Sequence, residues 1–274
     1  MFRQNPWHTG TPATLTLGSG ERLANGNFRF QIHGVAGMVC QVNASHNLIS
    51  WITIPTAQAT VTLTGGTDTF TDLEQNPGFA YRFYRVRSGP ILSLNSLGYV
   101  AVDVPSGSSM IANQLNNPAG NTVAVLLPTA PVGTTLYKWN ETSQQYYPAN
   151  TFAVGWSDPN MTLNPGEGVL VQAGAATTFT FVGDVPQGTL ANPLPASLSI
   201  RSAMVPQTGP IDSLLGYPNV VGDVINRYNN AAGAYESYTC LGSSWSPLLA
   251  PRVGESFWIN TGTARTWTRT FRVW

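Results

Sequence analysis

Along the first third of the chain, apolar and polar side chains alternate one for one. Phe28, Phe30 and Ile32 are separated by Arg29, Gln31 and His33, the period of a strand with one face buried. Gly34 and Gly37 bracket a turn, and Met38–Val42 and Trp51–Ile54 read as further strands. Thr60–Thr64 ends at Gly65-Gly66, a hairpin signal, and Thr69–Asp72 returns. Phe79, Tyr81 and Phe83 alternate with Ala80, Arg82 and Tyr84 in a closing strand that runs to Arg87. Gly98–Pro105 is one more strand, stopped by its proline. Later the alternation gives way to continuous apolar runs at Val169–Val171 and Phe257–Ile259, the mark of strands covered on both faces. The only helical suggestion is a single turn at Ile211–Leu215.

The second half of the chain repeats itself. Val132-Gly133-Thr134-Thr135-Leu136-Tyr137-Lys138-Trp139-Asn140 returns as Val221-Gly222-Asp223-Val224-Ile225-Asn226-Arg227-Tyr228-Asn229. Gly155-Trp156 returns as Ser244-Trp245, Pro165-Gly166-Glu167-Gly168 as Val253-Gly254-Glu255-Ser256, and Ala176–Phe181 as Ala264–Arg269. Four landmarks in the same order at nearly constant offset indicate a tandem duplication of a unit of about 85–90 residues. The segment 184–193 reads as a hinge between the copies. The expected organisation is an arm (1–11), a β-sandwich (12–88), and two homologous β-sandwich or barrel-like domains (89–188 and 189–274), all of them β.

The run Phe30-x-Ile32-x-Gly34-x-x-Gly37-x-x-Cys40-x-Val42-x-Ala44-Ser45-x-x-Leu48-x-x-Trp51, closed by Tyr81–Val86, resembles fibronectin type III-like modules of bacterial secreted proteins. That resemblance covers residues 12–88 and implies a spacer or attachment module, with no enzymatic role. No Arg-Gly-Asp tripeptide occurs, so an integrin-binding role does not carry over. The duplicated unit resembles a poorly characterised β-repeat of secreted bacterial proteins, which implies a location more than an activity.

Composition narrows the function classes. The formal net charge is zero and only 9% of the 274 residues are charged, against a usual share of about 25%. Nothing steers the chain toward nucleic acid or anionic lipid. No apolar run is long enough to span a membrane as a helix, and the given chain does not start with a signal peptide. An uncharged surface rich in Thr, Asn and Gly fits secreted material, so the expected location is extracellular or at the cell surface.

Candidate chemistry is sparse. Glu167 and Glu255 are equivalent by the repeat. As a pair they would suit the acid and base of a glycan hydrolase, but a glycine-flanked turn whose carboxylate accepts backbone N–H bonds explains their duplication better. His8, His33 and His46 lack metal-pair spacing, and no nucleophile elbow or phosphate loop is present. No catalytic, metal or cofactor site is expected. Cys40 and Cys240 leave two readings open, buried free thiols or a disulfide joining the first region to the last. Among the aromatics, Trp139, Tyr147 and Trp156, repeated as Tyr228, Tyr238 and Trp245, form a candidate sugar-stacking platform. The competing and preferred account makes Trp156 and Trp245 duplicated core plugs. Phe2 and Trp7 in the arm and Phe271 and Trp274 at the end are candidate self-association residues. The function expected is a structural protein that assembles with copies of itself into a fibre, tube or layer. The alternatives are a module binding cell-surface polysaccharide or, third, a hydrolase.

Overall fold

The structure, a computed structural model, describes residues 14–54, 59–73 and 79–274. The arm with Phe2 and Trp7 lies outside them. The described chain is nearly all antiparallel β. Strands β1 (Thr16–Arg22), β2 (Phe28–His33), β3 (Val39–Ser45), β4 (Ile52–Thr53), β5 (Thr60–Thr62), β6 (Thr67–Asp72), β7 (Tyr81–Ser88) and β8 (Ile91–Leu92) form the first region. The first copy then gives β9 (Leu97–Val104), β10 (Gly107–Ile111), a single helical turn α1 (Val123–Leu126), β11 (Thr135–Tyr137), β12 (Trp139–Asn140), β13 (Gln145–Tyr146), β14 (Asn150–Thr151), β15 (Val169–Ala173) and β16 (Thr177–Asp184). The second gives β17 (Gly188–Leu194), β18 (Leu198–Arg201), β19 (Val224–Asn229), β20 (Ala234–Cys240), β21 (Trp245–Ser246), β22 (Phe257–Asn260) and β23 (Arg265–Phe271). Residues 211–215 form turns, so the helical turn the pattern suggests there does not extend into a helix.

The first region is a sandwich. Sheet β1-β2-β6 faces the larger sheet β16-β9-β7-β3-β4. Phe28, Phe30, Ile32, Cys40, Val42 and Tyr84 fill the space between, and Phe28 stacks on Tyr84 at 5.1 Å. The large sheet does not stop at residue 88. Two strands of the first copy, β9 and β16, continue it, with β7 pairing β9 from Tyr81↔Val100 to Tyr84↔Leu97. At that pairing Gly98 allows a close approach, since a Cβ there would stand 2.2 Å from the Arg82 carbonyl oxygen.

Strand β7 departs from the one-face pattern as a consequence. Tyr84 and Val86 face the sandwich core, while Phe83 on the other face packs with Val100, Leu115, Val205 and Phe271 in a second core. Arg82, polar by pattern, is buried with Asp72 at 2.9 Å, and the Tyr84 hydroxyl donates to the same carboxylate at 2.9 Å. Burial, with the Asp72 charge second, pushes the Tyr84 hydroxyl far above its ordinary range. The repeats supply the layer that covers the far face of the sheet.

The two copies share one strand plan. The first has the order β10-β15-β11-β14 and the second β18-β22-β19-β20-β21. Each carries a long antiparallel pair beside this sheet, formed by its first and last strands, β9 with β16 and β17 with β23. Pairings correspond position by position: Ser108↔Gln172 answers to Leu198↔Asn260, and Thr135↔Gln172 to Val224↔Asn260. They differ in one hairpin. Its register in the second copy is constant from Val224↔Thr239 to Asn229↔Ala234. In the first it shifts by one residue between Trp139↔Tyr146 and Leu136↔Asn150, a bulge at Pro148, which has no N–H to donate. The segment 184–193 is not a hinge: Asp184 pairs with Leu97, and Gly188–Leu194 pairs along its whole length with β23.

The copies face each other across a pseudo-two-fold axis. Ala112 N–H donates to the Gly254 carbonyl at 2.9 Å, and its counterpart Ser202 donates to Gly166 at 3.0 Å. The bridges Ile111↔Glu255 and Glu167↔Arg201 are likewise reciprocal. On the axis, Gly168 meets its own equivalent, Ser256. Met110, Ile200 and Trp258, with Trp139, Leu170 and Tyr228 beside them, fill the interface from both sides.

Candidate functional site

The repeated glutamates anchor the turns that build this interface. In Asn164–Glu167 the Glu167 N–H donates to Asn164 O at 2.9 Å, with Gly166 at φ +98°. In Arg252–Glu255 the same bond is 3.3 Å, with Gly254 at φ +78°. A positive φ at the third residue of a turn calls for glycine. Each carboxylate also accepts the N–H three residues back, Asn164 at 2.7 Å and Arg252 at 2.8 Å. Each is paired with a cation at equivalent positions: Lys138 with Glu167 at 3.0 Å, and Arg227 with Glu255 at 2.7 and 3.0 Å. Burial works against the Arg227 charge, but the Glu255 carboxylate more than offsets it and the guanidinium pKa rises. These contacts occupy Glu167 and Glu255 with turn and ion-pair duties.

Beside the second turn lies an open cleft of about 820 Å³ where all three regions meet. Tyr81 and Asp103 come from the large sheet, Ser109 and Met110 from β10, Arg227–Ala231 and Glu236 from the β19–β20 hairpin, and Arg252–Glu255 from the turn. Glu236 accepts from Asn229 Nδ2 at 2.6 Å and from the Tyr238 hydroxyl at 3.1 Å. These hydrogen bonds hold its carboxyl below the usual range. A smaller pocket of about 470 Å³ in the first copy is lined by Lys138, Tyr147, Asp158 and Thr162.

The six aromatics of the candidate sugar platform do not gather. Trp156 and Trp245 are only 7% and 4% exposed. Their indole N–H groups donate to Leu127 O at 2.6 Å and Asn219 Oδ1 at 2.9 Å, so both are core plugs. Tyr238 is buried. Trp139 donates to Leu198 O at 2.9 Å and meets Trp258 edge-on at 4.9 Å, within the interface between copies. Tyr147 is exposed at the smaller pocket, and Tyr228 lines the large cleft. Strand alternation sends neighbouring aromatics to opposite faces, which is why residues close in sequence separate here.

The disulfide alternative is not formed. Cys40 and Cys240 are free buried thiols in two separate cores, one in the sandwich and one in the second copy. Burial raises the Cys40 pKa. Of the self-association candidates, Phe271 is buried in the core under the large sheet and has no free face. Trp274 is 80% exposed. Among the described residues no group of acidic, histidine or cysteine side chains could hold a metal ion, and no helix is long and apolar enough to cross a membrane.

Sequence reasoning missed the reciprocal interface and the cleft. One signal was present: the basic residue at Lys138 or Arg227 recurs with the glutamate at Glu167 or Glu255, which is what a duplicated ion pair leaves in a sequence. The chain matches no family model, no curated protein and no solved structure.

Proposed function

We propose that this protein is an extracellular or cell-surface structural subunit that assembles with copies of itself. The observation that carries this reading is a pair of equivalent apolar tips. Val132 is 78% exposed and its counterpart Val221 is 72% exposed. Each precedes a positive-φ glycine, and each tip is tied to the neighbouring strand end, Gly133 N–H to Phe152 O and Gly222 N–H to Cys240 O. Exposed Val154 follows two residues after Phe152, and exposed Leu241 directly follows Cys240. Leaving such side chains in water forgoes about 1.5–3 kcal/mol each. The pseudo-two-fold relation of the copies makes the two tips equivalent. A block with two equivalent adhesive tips links into chains, because each contact leaves another tip free. With a net charge of zero, little repulsion opposes this.

Light scattering and electron microscopy on the parent chain and on a Val132→Asp/Val221→Asp variant test the reading. The expected result is concentration-dependent assembly in the parent that is lost in the variant, with circular dichroism unchanged. A parent that stays monomeric at high concentration, or a variant that assembles like the parent, overturns it.

A further inference from the structure

The pseudo-two-fold axis makes the large cleft one of a related pair, and its counterpart is closed. There Arg201 reaches across to Glu141 at 2.6 Å and its Nε donates to Pro193 O at 2.9 Å. Trp139 Nε1 and Gln144 Nε2 both donate to Leu198 O, at 2.9 and 3.1 Å. By the repeat, Arg201 corresponds to Ile111, Glu141 to Asn230, Trp139 to Tyr228 and Gln144 to Gly233. On the open side the ion pair and the tryptophan and glutamine donations have no equivalent, and only Asn230 reaches the carbonyl that corresponds to Leu198 O, that of Ser108. Ile111 is buried and apolar, Gly233 has no side chain, and Asn230 turns to the Ser108 carbonyl and the Ser109 hydroxyl at 2.7 and 2.5 Å. The substitutions that distinguish the copies fall together, and their joint effect is an open cleft.

We propose that this cleft is a binding site for a neutral oligosaccharide. Its volume suits a ligand of a few sugar units, since ligand pockets run from about 300 to 1,000 Å³. Most of its charges have partners within the protein, while Arg252 stands exposed at the turn. Glu255 neutralises Arg227, Asn229 and Tyr238 hold Glu236, and Asp103 accepts from the Thr178 hydroxyl at 2.7 Å. Two cations, Arg227 and Arg252, stand against three carboxylates, so no strong field of one sign selects an ionic ligand. What the walls offer is a mixture of fixed donors and acceptors beside the rings of Tyr228 and Tyr81. Sugar hydroxyls both donate and accept, and their C–H faces pack on aromatic rings. The site shares only Tyr228 with the platform expected from sequence, and it does not depend on self-assembly.

Calorimetric titration with maltohexaose, cellohexaose, xylohexaose and chitohexaose tests the proposal. At least one should bind with a Kd of about 1 mM or tighter. Tyr228→Ala should weaken that binding at least about tenfold. Ala231→Trp, on an exposed turn at the cleft mouth, should do the same by obstruction without touching a core. Tyr147→Ala, at the smaller pocket, should leave it unchanged. Should Tyr228→Ala fail to fold by circular dichroism, Ala231→Trp still decides. The proposal is overturned if none of the four sugars binds, if Ala231→Trp binds like the parent, or if Tyr147→Ala alone removes binding. It is also overturned if an arginine-containing peptide, entering as Arg201 does in the counterpart, binds while no sugar does.

Discussion

Gly168 and Ser256 are the same residue of the repeat, and the fold sets them against each other. A Cβ on Gly168 would stand 2.2 Å from the Ser256 Cβ and 2.8 Å from Ile200 Cγ2. Ser256 is fully buried, so only one partner at the axis can carry a side chain. Gly168→Ser should therefore cost at least about 1–3 kcal/mol by overpacking. The exchange Gly168→Ser/Ser256→Gly should recover much of the loss, a coupling that urea unfolding of the single and double variants measures. Losses that simply add would refute the axial contact. The tryptophan plugs allow a second test: Trp156→Ala and Trp245→Ala should each cost about 3–5 kcal/mol. Variants that keep the parent's unfolding midpoint would show that these rings do not hold the cores.

At the level of elements, β16 joins sandwich and repeat. It is the edge strand of the large sheet, paired with β9 over its whole length. Its last residue, Asp184, exchanges backbone hydrogen bonds with Asn116, both 2.8 Å, and accepts Asn95 Nδ2 at 2.8 Å. Burial raises the Asp184 pKa above 3.8, and the Asn95 hydrogen bond only partly counters it. A carboxyl raised in the folded state opposes folding while ionised. Its burden is lifted as pH falls through the folded value, and it is fully relieved below the unfolded one. Asp184→Asn, which copies the neutral form, should raise Tm at pH 7 and have little effect near pH 3. A variant less stable than the parent at pH 7 would mean that the charge has a favourable partner. The β7 strand teaches a related lesson. Its alternation foretold one buried face, but the second face is buried as well, because elements from far along the chain cover it.

For the molecule as a whole, the reciprocal bonds of Ala112 with Gly254 and Ser202 with Gly166 make the second copy part of the first copy's structure. The core that holds Phe83, Leu115, Val205 and Phe271 draws on all three regions. A fragment ending at residue 188 would expose that core and the interface around Met110 and Trp139. It should lack a cooperative unfolding transition and bind a hydrophobic dye. A fragment that unfolds with the parent's cooperativity would show the first copy to be an independent domain. For the same reason amide exchange through 184–193 should be as slow as in β23, which fast exchange there would contradict.

Local pattern determined the all-β character, the positions of most strands, the duplication and the two tryptophan plugs. Alternation, turn glycines and recurrence are written into neighbouring residues, and each acts through backbone geometry over a few positions. The Glu167 and Glu255 turns were legible for that reason, down to the carboxylates accepting backbone N–H bonds. The tertiary structure alone decided which strands of the repeat extend the sandwich sheet, why Gly188–Leu194 is a strand, and that Cys40 and Cys240 sit in separate cores. It alone placed the copies about a common axis. Those outcomes depend on which distant surfaces bury each other, and burial is summed over the whole chain. The open cleft belongs to this second kind. It exists because Ile111, Tyr228, Asn230 and Gly233, spread over more than a hundred residues, stand where Arg201, Trp139, Glu141 and Gln144 close the counterpart.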